Sequence, residues 1–269
     1  MPSNSKGYKV FIVDAFSERA FKGNNAAVVL MDHAMDGGWM HNMALELGQP
    51  ATAYVVAEGR GWRVKLYTPK VEIMLCGHAT LAAAHVLWES GRVPQTDSIL
   101  FHTSKGDIKV FRTEGEFIEM DYPLQPVEEA ELPSQLAGAF PHPPVFVGRS
   151  EMDYFVELES PADVKQLKPD LEKVSALNAR GLIVTSHSLT PDYDYVTRFF
   201  SPQCGIPEDP VTGSAQCTLA PYWSQKTGKK NMVSFQASER GGCIRVRMNG
   251  TRVYISGRAL TVLEGELKV

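Results

Sequence analysis

The sequence predicts an α+β protein of two pseudo-symmetric lobes, each a curved sheet or barrel wrapped around one central helix. Three observations lead there. The chain repeats its own short motifs in the same order at a nearly constant offset, each copy carries a helix apolar almost all round, and a proline-rich stretch separates the copies.

The repeat is read directly. Tyr67-Thr68-Pro69 precedes Gly77-His78-Ala79-Thr80-Leu81-Ala82, and Phe200-Ser201-Pro202 precedes Gly213-Ser214-Ala215 and Thr218-Leu219-Ala220. Each copy continues through a tryptophan (Trp88, Trp223) to a helix-ending glycine (Gly91, Gly228). Downstream, Phe101-His102-Thr103-Ser104 corresponds to Phe235-Gln236-Ala237-Ser238, and Ile108-Lys109-Val110 to Ile244-Arg245-Val246. The join falls between Tyr122-Pro123 and Pro141-His142-Pro143-Pro144, because proline removes ladder donors and interrupts regular structure. The expected lobes are residues 1–125 and 126–269.

Within the lobes, Lys9–Val13 and Ala26–Leu30 read as buried strands, and Gly61–Tyr67 alternates with period two. Ala79–Trp88 is rich in alanine and has no polar stripe, so it must be covered on every side. A sheet curved around it is the simplest architecture that does so. Ala215–Trp223 repeats the pattern, with Pro221 in the first turns or at a kink.

At 269 residues, with 43% apolar and 22% charged residues, the chain has the composition of a soluble globular protein with a large core. A net charge of −4 with dispersed basic residues gives no reason to expect a nucleic acid or an anionic membrane as partner. The polar start Met1–Lys6 lacks a signal-peptide pattern, and no apolar run approaches the roughly 18 residues of a membrane span. Cys76, Cys204, Cys217 and Cys243 are widely spread, which predicts neither a disulfide framework nor a structural zinc site. A reduced, cytoplasmic protein is the expectation.

Both predicted helices begin at glycine-containing turns, Leu75-Cys76-Gly77-His78 and Glu208-Asp209-Pro210-Val211-Thr212-Gly213-Ser214. A helix start offers unpaired N–H groups and partial positive charge, suited to a carboxylate or phosphate, and glycine lets a ligand approach the backbone. Two such lobes would turn both helix starts into one cleft holding a small anionic substrate. Simple helix capping by Asp209 and Ser214 is the alternative for either turn taken alone.

Val13-Asp14-Ala15-Phe16 followed by Phe21-Lys22-Gly23-Asn24-Asn25-Ala26-Ala27-Val28, together with the two turns, resembles the phenazine-biosynthesis F (PhzF) family from about residue 9 to 268. The resemblance implies a diaminopimelate-epimerase-like fold, a homodimer, no metal and no organic cofactor. It implies an isomerase that moves a proton on a small carboxylated ring such as a dihydro-hydroxyanthranilate. Carried over by position, Asp209, His78 and Ser214 are the polar groups at the reacting centre. Gly77, Gly213, Thr212, Cys76 and Asn24 complete the substrate-binding set.

The resemblance breaks at the family's catalytic glutamate. The segment reads Gln49-Pro50-Ala51-Thr52-Ala53-Tyr54, so Ala51 stands at the glutamate position; Asn25 replaces a proline and Gln216 a common histidine. Glu46 is placed on a helix end and expected to point elsewhere. Three readings follow. Asp209 and His78 take over as base and acid of a cofactor-independent isomerase; Cys76 acts as the acid/base of an epimerase, although the second turn offers Asp209-Pro210 and not a second thiol; or the chain is a catalytically silent ligand- or protein-binding member. His85, Trp88 and Trp223 are expected in the core, and Arg240-Gly241-Gly242 in a surface turn.

Overall fold

A computed structural model describes residues 7–268; the polar start Met1–Lys6 lies outside the described residues. The first half runs β1 (Tyr8–Ala15), β2 (Asn24–Met31), α1 (Gly37–Leu47), β3 (Thr52–Glu58), β4 (Gly61–Tyr67), β5 (Glu72–Ile73), α2 (Gly77–Glu89), β6 (Ile99–Thr103), β7 (Gly106–Thr113) and β8 (Phe117–Pro123). The second runs β9 (Glu128–Glu129), β10 (Phe146–Arg149), β11 (Asp153–Glu157), α3 (Pro161–Gln166), α4 (Leu171–Ser175), β12 (Gly181–His187), β13 (Tyr195–Ser201), β14 (Ile206–Asp209) and α5 (Gln216–Thr227). It closes with β15 (Asn231–Gln236), β16 (Gly242–Asn249), β17 (Arg252–Gly257) and β18 (Ala259–Leu267).

The duplication is a duplication of topology. In the first half β1 and β2 pair antiparallel, β2 and β3 parallel across α1, β3 and β4 antiparallel, and β4 and β6 parallel across α2. In the second half β10–β11, β11–β12, β12–β13 and β13–β15 repeat the same senses in the same order, with α3 and α4 in place of α1 and α5 in place of α2. Both crossovers are followed by an antiparallel hairpin, β6–β7 and β15–β16.

The chain divides into two compact units, one reaching Met120 and taking in the chain from Arg258 onward, the other Asp121–Gly257. The final strand belongs to the first unit. β18 pairs antiparallel along the whole of β1, from Tyr8 opposite Leu267 to Ala15 opposite Ala259, with one register shift beside Val13. That ladder supplies β1 with its second partner and carries the C-terminal segment into the first unit.

In the first unit α2 packs on β1, β2, β3 and β18. Of its thirteen residues all but His85 and Glu89 are buried, as a helix without a polar stripe requires. β3 shows why its sequence is apolar without alternation: Tyr54 and Val56 join the cluster of Met40, Met43 and Ala44 from α1, so Ala53 and Val55 fall on the opposite face. In the second unit Val164 and Val174 of α3 and α4 pack with Val156, Leu182, Val184 and Phe200, while α5 packs on β16 and β17.

Pro221 lies in the middle of α5, not its first turns. The start of α5 is wound tightly, with Gln216, Cys217 and Thr218 bonded to Gly213, Ser214 and Ala215. Proline has no N–H for the carbonyl of Cys217. That carbonyl instead accepts from the backbone N–H of Gln125 at 2.9 Å.

Candidate active site

The first turn is built from β2 and the start of α2. Ahead of β2 the backbone is left-handed at Phe16, Phe21 and Gly23, a conformation costly for phenylalanine. The buried Asp14 carboxylate accepts from the Phe21 N–H at 2.7 Å and stabilises the loop. Gly23 is required, because a Cβ there would lie 2.2 Å from the Ala15 carbonyl oxygen. The chain emerges at Asn24, buried completely, with Nδ2 3.1 Å from Nδ1 of His78. The thiol of Cys76, the N-cap of α2, lies 3.3 Å from the same ring nitrogen and makes no capping bond of its own. With the Asn24 amide as donor, Nδ1 is the acceptor and the neutral ring carries its proton on Nε2. The Cys76 carbonyl accepts from both the N–H and the hydroxyl of Thr80, which fixes the first helical turn.

The second turn links β14 to α5. Asp209, paired opposite Phe199, is 6% exposed. The Thr212 hydroxyl donates to its Oδ2 at 2.7 Å. A completely buried amide, Gln236 of β15, holds the loop on both sides: Nε2 donates to the Asp209 carbonyl at 2.6 Å, and Oε1 accepts from the Thr212 N–H at 2.7 Å. Ser238, from the turn before Arg240-Gly241-Gly242, donates to the Pro210 carbonyl at 2.7 Å, so that surface turn braces the loop.

Ser214 is served by a buried ion pair that sequence patterns did not single out. Arg180 donates to both carboxylate oxygens of Asp153, at 2.9 and 2.5 Å, and through Nη1 to the Ser214 hydroxyl oxygen at 2.7 Å. Burial alone would lower the Arg180 pKa; the adjacent Asp153 carboxylate outweighs it and holds the guanidinium above its ordinary value. Asp153, Arg180 and Gln236 lie in or beside strands far from the turns in sequence, where only the repeat gave any signal, and it gave none for polar core positions.

Other expected residues separate into those near the turns and those serving the core. Asp209 and Thr212 are joined by the second-turn network, Ser214 is held separately by Arg180, and Asn24, Cys76 and His78 meet at one imidazole. Gln216 is a satisfied core amide, accepting from the Tyr195 hydroxyl at 2.6 Å. Burial pushes the Cys217 thiol up to about 12, which keeps it protonated. Trp88 and Trp223 are core residues whose indole N–H groups donate to the Asp97 carbonyl and the Thr185 hydroxyl. His85 departs from expectation: it is half-buried, bonded to Thr261 at 3.2 Å and beside Glu89. Ala51 is completely buried, its carbonyl bonded to the Ala27 N–H at 2.9 Å. Asn25 and Gln49 are hydrogen-bonded to one another. Among the described residues no three His, Cys, Asp or Glu side chains converge as a metal site requires.

Comparison with known proteins agrees with this architecture. The pattern of the phenazine biosynthesis-like protein family matches residues 13–265. An uncharacterized isomerase of Halalkalibacterium halodurans is 40% identical, over 96% of this chain and 97% of its own length. An uncharacterized isomerase of Pseudomonas aeruginosa is 42% identical over 96% and 97%. The crystal structure of a PhzF-family protein from Enterococcus faecalis superposes with a TM-score of 0.91 at 34% identity, covering 98% of this chain and all of the other. The chain is a member of the phenazine biosynthesis-like (PhzF) family, with that family's epimerase-like fold.

Proposed function

We propose that the protein is an isomerase that moves a proton on a small carboxylated metabolite without a cofactor. Asp209 is the base and His78 the acid. The observation that supports this most directly is the anchoring of Asp209. A buried carboxylate is held at Oδ2 by Thr212, in a loop that Gln236 fixes on both sides, so its position is set before substrate arrives. His78, with Nδ1 accepting from Asn24, presents an Nε2–H suited to protonating carbon or polarising a carboxylate. The start of α2, at Gly77 and His78, carries the partial positive charge of a helix N-terminus and suits the substrate carboxylate; Gly213 and Ser214 contribute on the second turn. Ala51, taken as the place of the family's glutamate, carries no proton, so the base role falls to Asp209.

The alternative role for Cys76 is favoured by its 3.3 Å approach to His78 at a helix N-terminus, a setting that stabilises a thiolate. A partner thiol from the second turn is what it lacks, since Cys217 is protonated within α5.

The test is proton NMR in deuterated buffer with a panel of cyclic and acyclic amino and hydroxy acids, dihydro-hydroxyanthranilate included. Deuterium entering a C–H position supports the isomerase reading. Binding without any exchange supports the catalytically silent one.

A further inference from the structure

We infer that Arg180 is a positioning residue that makes the Ser214 hydroxyl a dedicated donor to a ligand carboxylate. This rests on the proposed reading of the second turn as an anion-binding turn. A serine hydroxyl has one hydrogen to give and can accept at its oxygen; guanidinium can only donate. The 2.7 Å contact between Arg180 Nη1 and Ser214 Oγ therefore uses the oxygen as acceptor. The hydroxyl hydrogen is left over, and among the described residues no acceptor takes it. Ser214 is 4% exposed, and a hydroxyl so buried normally finds partners for its hydrogen as well as its oxygen. It is an open donor in the turn that leads into α5, whose own first N–H groups are already bonded to Gly213, Ser214 and Ala215.

Arg180 is built for orientation more than for charge. Asp153, with a side chain 1% exposed, binds it through two parallel hydrogen bonds, so the pair is neutral as a unit. The backbone on either side is fixed too: the Arg180 N–H donates to the Met152 carbonyl at 2.6 Å, and its carbonyl accepts from Ser201 at 2.6 Å. The guanidinium plane lies over the Phe199 ring at 5.1 Å. Every rotatable bond that could swing Nη1 away from Ser214 is thus restrained. A lysine could keep the Asp153 pair, but as a point charge it does not reproduce the fork that reaches Ser214.

The test is a double-mutant cycle on carboxylate binding, with benzoate and anthranilate as probes, benzamide as the uncharged control, and ligand-observed NMR titration for affinity. Ser214→Ala is expected to weaken benzoate about tenfold or more, the loss of one hydrogen bond to a charged group. Arg180→Lys should weaken it several-fold in the native background and less than twofold when Ser214 is already alanine. Should Arg180→Lys fail to fold, the neutral pair Arg180→Gln/Asp153→Asn has the same expected cycle. Equal losses in both backgrounds, or no loss, would overturn the role of Arg180 while leaving the anion-binding turn intact. If the native protein prefers neither carboxylate over benzamide, both the role and the reading beneath it fall.

Discussion

The backbone N–H of Gln125 bonds to the carbonyl of Cys217 at 2.9 Å, at the position where α5, interrupted by Pro221, has no N–H to offer. A proline inside a helix ordinarily costs about 3 kcal/mol, partly through the carbonyl it orphans. Here a segment outside the helix supplies the missing donor. Gln125→Pro removes that donor and is expected to lower stability by about 1–3 kcal/mol, read from the urea midpoint. Pro221→Ala should gain much less than 3 kcal/mol, since its carbonyl is already satisfied.

Asn24 is expected to matter through His78. Asn24→Ala removes the donor to Nδ1, so the imidazole proton redistributes between the two ring nitrogens. Nitrogen-15 shifts of His78 should change from one tautomer to a mixture, and proton-transfer rate should fall about tenfold, the value of one hydrogen bond of 1–1.5 kcal/mol. An unaltered tautomer would sever Asn24 from the acid role.

The buried Cys217 should differ from the exposed Cys243 in reactivity. With its thiol near 12, Cys217 has about one part in ten thousand as thiolate at pH 8, so iodoacetamide in native buffer should modify Cys243 and spare Cys217. Cys76→Ser should retain most of the exchange activity if Asp209 and His78 carry the chemistry. Its complete loss would transfer the acid/base role to the thiol.

The half-buried His85 should give the fold a mild acid sensitivity. Burial, the larger cause, and the nearby Arg112 hold its pKa below the ordinary 6.5, against Glu89 and Glu116, which raise it. The unfolded chain then binds more protons than the folded one as pH falls from about 6.5 through the lowered value, so stability declines in that window. His85→Gln should flatten the decline in thermal melts as pH falls below about 6.5.

The repeat made the fold legible because it is written in residues that any copy needs: a glycine at each helix start, alanines where sheet presses on helix, a tryptophan in the core. The turns were legible for the same reason, and Asp209, Thr212, Ser214, Asn24 and His78 lie in or beside them. The supports were not. Arg180 and Asp153 look like ordinary loop charges until folding pairs them, and Gln236 matched only His102 in the repeat, which is half-buried and paired with Asp107. The pairing of β18 with β1 was invisible because it joins chain ends, and no local periodicity records a partner about 250 residues away. Gln216 departs from the family pattern, and its place is explained by its bonds to Tyr195 and Ser234.

The measurement that bears most directly on the central claim is the exchange rate of a substrate C–H in deuterated buffer, compared between the native protein and Asp209→Asn. The substitution keeps size and the Thr212 contact within reach while removing the base. The account predicts a loss of about a hundredfold or more, with binding of the same substrate retained. An Asp209→Asn protein that exchanges at the native rate would contradict it and place the base elsewhere.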